Sequence, residues 1–208
     1  MAPGLSGMNE TDAQTLEFYD SDASAYAERQ PHKKDEEALN QFMEHLPEGS
    51  AVCDLGCGNG WASAKLIEHG FQVTAVDGSA GLALEANRNY GVSVNVMTFE
   101  DFKYHATFHG LWACWSLYHS PRANFPKLLK RVSDSVIPGG VLFISVKGGT
   151  GESRDSFGRF YSYFEWNELK DIIETTVDGI IINQDSWSDK CFEGKNTLLH
   201  QVLIRKSG

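Results

Sequence analysis

The stretch Val52-Cys53-Asp54-Leu55-Gly56-Cys57-Gly58-Asn59-Gly60 constrains the fold most. It joins a short apolar run, Ser50 to Leu55, to a helical pattern, Trp61 to His69, that Gly70 ends. Glycines at that junction let the main chain turn sharply and approach a ligand closely. Gln72 to Val76 reads as a second strand closing in Asp77-Gly78, and Ser79 is placed to cap a helix through Asn89. Val92, Val94 and Val96 alternate as a third strand, and Leu111 to Trp115 is a fourth. Leu128, Leu129, Val132 and Val136 mark a helix that ends before Pro138-Gly139-Gly140. Val141 to Val146 is a fifth strand, whose unbroken apolar run predicts burial on both faces. Strands alternating with helices predict parallel β-α-β units in an α/β, doubly wound sheet with helices on both faces.

Ala13 to Leu46 reads as helical with a break at Pro31. Gly148 to Tyr163 is a long Gly-, Ser- and Arg-rich excursion, and Trp166 to Thr176 is a helix. Ile180–Asn183 and Leu198–Ile204 are two last strands, close enough for an antiparallel hairpin that completes a seven-stranded, mostly parallel sheet. The expected organisation is a flexible leader over 1–12 and one domain over 13–208. Within it lie a helical lid (13–48), a ligand-binding core (49–147), a substrate-side excursion (148–165) and a C-terminal helix and hairpin (166–208).

A chain of 208 residues suits one domain able to bury roughly 70% of its unfolded surface. With a formal net charge of -10, it repels phosphate backbones, so nucleic acid is not an expected partner. Cys53, Cys57, Cys114 and Cys191 form no C-x-x-C pair, so neither a disulfide framework nor a metal site is expected, and a cytoplasmic location is. Met1 to Gly7 lacks a signal-peptide pattern, and no run is apolar for long enough to span a bilayer. His32, His45, His69, His105, His109 and His200 show no ligand spacing and read as surface residues.

Asp77, at a strand end after the glycine loop, suits a carboxylate that accepts bonds from ribose hydroxyls. The loop departs from the NAD pattern G-x-G-x-x-G, because Trp61 stands where the third glycine belongs and Gly60 comes one residue early. Asp54, just before the loop, would repel a pyrophosphate. It suits a ligand with an ammonium and a sulfonium, as in S-adenosylmethionine (SAM).

With these residues the chain resembles the class I, Rossmann-like SAM-dependent methyltransferases. Asp54-x-Gly56-x-Gly58-x-Gly60 is similar to their motif I and Asp77 to their ribose-binding acid. Phe99-Glu100-Asp101-Phe102 resembles the segment that borders adenine, and Trp115-Ser116-Leu117-Tyr118-His119 the segment lining the methyl-transfer pocket. Phe18-Tyr19-Asp20 with Ala25-Tyr26-Ala27 is similar to the small-molecule branch, which includes tellurite-resistance-type and ubiquinone- or menaquinone-type enzymes. The Asn/Asp-Pro-Pro-Tyr signature of amino-group methylation is missing after strand four. Thr98 stands where many relatives carry an acid, leaving Glu100 or Asp101 to face the adenine.

The resemblance implies a cofactor site of Tyr19, Tyr26, Arg29, Asp54, Gly56, Cys57, Gly58, Asp77, Gly78, Phe99, Glu100, Asp101 and Trp115. It implies SAM as donor, S-adenosylhomocysteine (SAH) as product, and a monomer or homodimer that meets neither nucleic acid nor membrane. The tyrosines would cover the cofactor and Arg29 would meet its carboxylate; the plainer reading is an aromatic stripe and a solvated charge. His119, just beyond strand four, is the candidate base, against the plainer reading of a packed histidine. Tyr118, His119, Lys147, Arg159 and Tyr161 are the candidate acceptor wall, since Arg with aromatics receives anionic or planar groups. Two other readings stay open: an NAD-dependent oxidoreductase, and a SAM-binding protein without catalysis.

Overall fold

The computed structural model describes residues 9–190, 194 and 196–208. Cys191 and the Met1–Gly7 leader lie outside the described residues. The elements run α1 (Ala13–Ser21), α2 (Ala23–Ala27), α3 (Lys33–Glu44), β1 (Ala51–Leu55), α4 (Trp61–Glu68), β2 (Gln72–Asp77), α5 (Ala80–Tyr90) and β3 (Val94–Val96). They continue with β4 (Phe108–Ala113), a 3-10 turn (Leu117–His119), α6 (Phe125–Asp134) and β5 (Val136–Lys147). Then come β6 (Glu152–Arg154), β7 (Phe160–Ser162), α7 (Trp166–Thr176), β8 (Gly179–Lys190) and β9 (Asn196–Lys206).

The large sheet has seven strands in the order β3-β2-β1-β4-β5-β9-β8. β1 to β5 pair in parallel, whereas β9 runs antiparallel to both β5 and β8. This is the expected Rossmann-like sheet with its C-terminal hairpin. Strand order reverses between β1 and β4. The connections leave those strands on opposite sides and open a crevice beyond their carboxyl ends. Residues 56–60 follow β1 and residues 114–119 follow β4, so the two informative loops face each other there.

The unbroken apolar strand is buried on both faces, as its sequence requires. Leu142, Ile144 and Val146 of β5 join a core with Leu128 and Val132 of α6 and Leu169 and Ile173 of α7. Val141 and Phe143 join the opposite layer, with Leu39 and Phe42 of α3 and Leu66 of α4. Trp112 stacks on Phe143 there, ring centroids 3.8 Å apart. Trp112→Ala is expected to cost ~3–5 kcal/mol, the usual range for truncating a buried aromatic, with chemical denaturation as the measurement.

Several boundaries move. Residues 9–12 are held, although they fall in the expected leader. Glu10 is buried and pairs with Arg131 and Lys127, and Asp12 caps α1 and pairs with Arg154. The tail's carboxylates meet cations that the fold gathers from α6 and β6. β4 begins earlier than expected, at Phe108, and ends at Ala113, just before Trp115 turns into the left-handed region at φ 55°. The last two strands are far longer than their apolar stretches, and the excursion contains the β6–β7 hairpin. His200 is buried, with Nδ1 2.7 Å from the Ser186 hydroxyl, rather than at the surface. Among the described residues no helix is long and apolar enough to cross a membrane.

Candidate active site

A cavity of about 360 Å³ occupies the crevice. Gly56 and Gly58 turn the loop with φ of 76° and 55°, which L side chains rarely adopt. The Gly56 and Cys57 amides both donate to the Val76 carbonyl, at 2.8 and 3.0 Å, tying the loop to the end of β2. A Cβ on Gly56 would stand 2.3 Å from that of Ser116, so this glycine lets the loops after β1 and β4 touch. The Ser116 hydroxyl donates to the Leu55 carbonyl at 2.7 Å and locks the contact.

Two buried carboxyls line the loop side. Asp77 accepts from the Gly58 amide through Oδ2 and from the Ser79 amide through Oδ1, each at 2.8 Å. Burial, only partly offset by these bonds, raises its pKa. A carboxylate offers about four acceptor sites, so two remain for hydroxyls of a ligand. Asp54 accepts from the Ser63 hydroxyl at 2.6 Å. Burial, reinforced by the nearby Asp77 charge, pushes it up to about 7. An uncompensated carboxyl of this kind favours a cationic guest.

The N-terminal helices cover the loop. Asp20 accepts from the Ser79 hydroxyl at 2.6 Å and the Gly81 amide at 2.9 Å, pinning α1 to the start of α5. The Asn59 side-chain amide donates to the Ala27 carbonyl at 3.1 Å. Tyr26 meets Tyr19 edge-on at 5.1 Å. Asp20→Ala is expected to cost ~1–3 kcal/mol, because it orphans a buried hydroxyl. Hydrogen exchange across 13–27 is the measurement, and unchanged protection there would show that the clasp is idle.

Beyond β4 the chain is strained at Trp115, whose amide donates to the Ser145 hydroxyl at 2.7 Å. Its indole N–H is shared between both oxygens of Asp35, at 3.0 Å each. Outliers of this kind gather at ligand sites. His119 Nδ1 lies 2.6 Å from the Phe160 carbonyl, an acceptor only, so Nδ1 carries the proton. Nε2 therefore accepts, and the Tyr19 hydroxyl donates to it at 3.1 Å. Burial drives the His119 pKa down to about 3. A nitrogen so weakly basic, already engaged by Tyr19, is not poised to take up a proton in this arrangement.

The cavity gathers nearly every residue singled out in the sequence. Tyr19, Tyr26, Arg29, Asp54, Gly56, Cys57, Gly58, Asp77, Gly78, Phe99, Trp115, Tyr118, His119, Lys147, Arg159 and Tyr161 all line it. Glu100 and Asp101 do not. Glu100 accepts from the Thr11 amide and hydroxyl, at 2.8 and 2.5 Å, and Asp101 accepts from Thr98 at 2.8 Å. Met97, Thr98 and Phe99 line the cavity beside them. Sequence reasoning missed Asp35 and His32, which also line the cavity. Asp35 reads as one more polar residue of an amphipathic helix, and only its buried position gives it away. Among the described residues no group of three or more His, Cys, Asp or Glu side chains is placed to hold a metal ion.

Residues 52–140, which carry the loop, Asp77 and the β4 turn, match the family model described as a methyltransferase domain. Over that segment the chain is similar to methyltransferase domains, and its sheet has the Rossmann-like methyltransferase fold. SAM is the cofactor of the methyltransferases this chain is similar to, and the cavity suits it: a left-handed glycine loop, an uncompensated carboxyl and a strand-end acid with spare acceptor sites. YqeM of Bacillus subtilis, named as a methyltransferase, is 28% identical over 136 residues, 62% of this chain and 55% of that protein. This chain thus spans little more than half of that relative's length. The 1,6-didemethyltoxoflavin-N1-methyltransferase of Burkholderia thailandensis, solved with its substrate and SAH, is similar at 23% identity and a TM-score of 0.69, covering 98% of this chain and 94% of that one. TehB of Haemophilus influenzae is similar at 19% identity and a TM-score of 0.69, covering 91% and 67%. At these identities the two structures speak to the fold.

Proposed function

We propose that this methyltransferase moves the sulfonium methyl of SAM to a small-molecule acceptor by in-line displacement. One observation carries the reading: a single covered cavity joins the glycine loop and Asp77 to an aromatic wall at the ends of β4 and β5. Its volume, about 360 Å³, is near the small end for ligand pockets and suits a compact acceptor group beside a donor. The likeness to a methyltransferase solved with a small heterocyclic substrate supports the same class of acceptor.

Gly56, Cys57, Gly58 and Asp54 hold the methionine end in this reading, Arg29 its carboxylate, Asp77 the ribose, and Met97 to Phe99 the adenine. Tyr19 and Tyr26 close over it. Bound SAM supplies a methyl already activated by a positive sulfur, so the protein's task is position and exclusion of water. Trp115, fixed through Asp35 and Ser145, shapes the passage to the acceptor wall. His119 keeps the Tyr19 hydroxyl oriented.

The test is calorimetry followed by transfer of a labelled methyl. SAH should bind and, at 100 times its Kd, stabilise the fold by ~2.7 kcal/mol. NAD should do neither. With labelled SAM, counts should enter the small-molecule fraction of a cell extract and not its macromolecules. Binding of NAD in place of SAH would support an oxidoreductase. Tight SAH binding without transfer to any fraction would support a SAM-binding protein without catalysis.

A further inference from the structure

Building on the methyl-transfer reading, we infer that Asp35 is a catalytic residue: it takes the proton of the acceptor, which is a neutral nucleophile bearing an N–H or O–H. Asp35 lies in the first turn of α3, is 6% exposed, and lines the cavity together with Cys114 and Trp115. Its hydrogen-bond partners are neutral. The Trp115 indole N–H is shared between both of its oxygens, and the Gln201 side-chain amide donates to Oδ1 at 2.7 Å. Among the described residues no lysine or arginine forms an ion pair with it. His32, at the cap of the same helix, turns its Nε2 to Asp189 at 2.7 Å.

A carboxylate is a costly choice for that place. An indole N–H and an amide N–H need only a neutral oxygen, which asparagine or glutamine supplies, whereas a buried charge without an opposite one is far more expensive. What the acid adds is the capacity to gain and lose a proton. Burial raises the Asp35 pKa against the opposing pull of the Trp115 indole, His32 and Cys114, so the group is a stronger base than an ordinary aspartate. The other titratable groups of the cavity are less suited. Asp12 is paired with Arg154, which holds it at about 2. Asp54 and Asp77 serve the cofactor end in this reading. His119 is pushed down to about 3 by burial and already accepts from Tyr19. The thiols of Cys57 and Cys114 and the phenols of Tyr19, Tyr26, Tyr118 and Tyr161 are kept protonated by burial.

The step balances without a further reagent. The acceptor's lone pair forms the new bond to the methyl carbon, and the C–S pair returns to sulfur, which becomes neutral. The attacking nitrogen or oxygen gains positive charge as it does so, and its proton becomes acidic. Ionised Asp35 receives that proton and releases it to solvent once the product has left. A thiolate, or an oxygen already ionised, would give such a base nothing to do.

The test uses SAM with a carbon-13 methyl and the small-molecule fraction of a cell extract as the source of acceptor. With the unaltered chain, the transferred methyl should resonate as N–CH3 or O–CH3. Asp35→Asn keeps an oxygen for the indole. It should bind SAH within threefold of the unaltered chain, by calorimetry, yet transfer ~100-fold more slowly or worse, the loss expected on removing a general base. In Asp35→Ala, formate should restore transfer at least tenfold by returning a carboxylate to the vacated space, and formamide should not. A residue that only propped Trp115 would not respond in this way. An S–CH3 signal, transfer by Asp35→Asn within threefold of the unaltered rate, no rescue by formate, or a loss of SAH binding as large as the loss of transfer would overturn the inference. The carbon-13 measurement needs no variant, so it decides even if both variants fail to fold. Absence of any transfer by the unaltered chain is a separate result: it removes the methyl-transfer reading, and this inference with it.

Discussion

Gly56→Ala is expected to weaken SAH binding by more than 100-fold and to lower the melting temperature by roughly 4–20 °C. Two costs combine. The residue sits at φ 76°, where a Cβ costs ~1–2 kcal/mol. The new methyl would also meet the Ser116 Cβ at 2.3 Å, and forcing atoms into a packed site typically costs ~1–3 kcal/mol. Each kcal/mol moves the melting point of a domain this size by ~2–4 °C. Ser116 cannot swing away cheaply, because its hydroxyl is tied to Leu55 and the Gly56 amide to Val76. The loops after β1 and β4 must part, and with them the two walls of the cavity. Gly70→Ala is the control. Its φ is 85°, but no atom lies within 4 Å of the added methyl, so stability should fall by ~1–2 kcal/mol while SAH binding stays put. Thermal melts and calorimetry on both variants decide. A Gly56→Ala protein that binds SAH within threefold of the unaltered chain would refute this account of the loop.

The same contrast explains what the sequence made legible. Gly56, Gly58 and Asp77 announce themselves because their demands are local: a left-handed turn and a strand-end acid separated by one helix. The apolar run of β5 is equally readable, since burial on both faces leaves no polar position to disguise it. The long hairpin strands were not, because β8 alternates between half-buried and exposed residues and reads as apolar only at its start. Asp35 was invisible for another reason. Its partners Trp115 and Gln201 lie 80 and 166 positions away, so the network exists only once α3, β4 and β9 are assembled. Glu100 illustrates the converse. Its place after β3 suits an adenine contact, yet Thr11 reaches across from the N-terminal segment and occupies both of its oxygens. The cavity is lined there by Met97, Thr98 and Phe99, the proposed adenine wall, none of which carries a charge to draw the eye.

The affinity for SAH is expected to rise with pH, by up to tenfold per unit below pH 7, and to level off above it. Asp54 titrates at about 7 in the free protein, against 3.8 for an ordinary aspartate. Because the folded pKa is raised, this group favours the free fold fully below about pH 4. That contribution is lost as pH rises through about 7, as the carboxylate ionises without compensation. A guest bearing an ammonium reverses the balance. It needs the ionised form, lowers the pKa, and expels the proton that half the free molecules hold at pH 7. Calorimetry in two buffers of different ionisation enthalpy should therefore register release of about half a proton per SAH at pH 7, more at pH 6 and almost none at pH 8.5. Asp54→Asn keeps an oxygen for Ser63 but cannot ionise. It should bind SAH at least tenfold more weakly at pH 8 and lose most of the pH dependence, leaving what Asp77 and Asp35, both also raised by burial, contribute. A slope that persists unchanged in Asp54→Asn would move the titrating group elsewhere and break the link between this carboxyl and the cationic end of the cofactor.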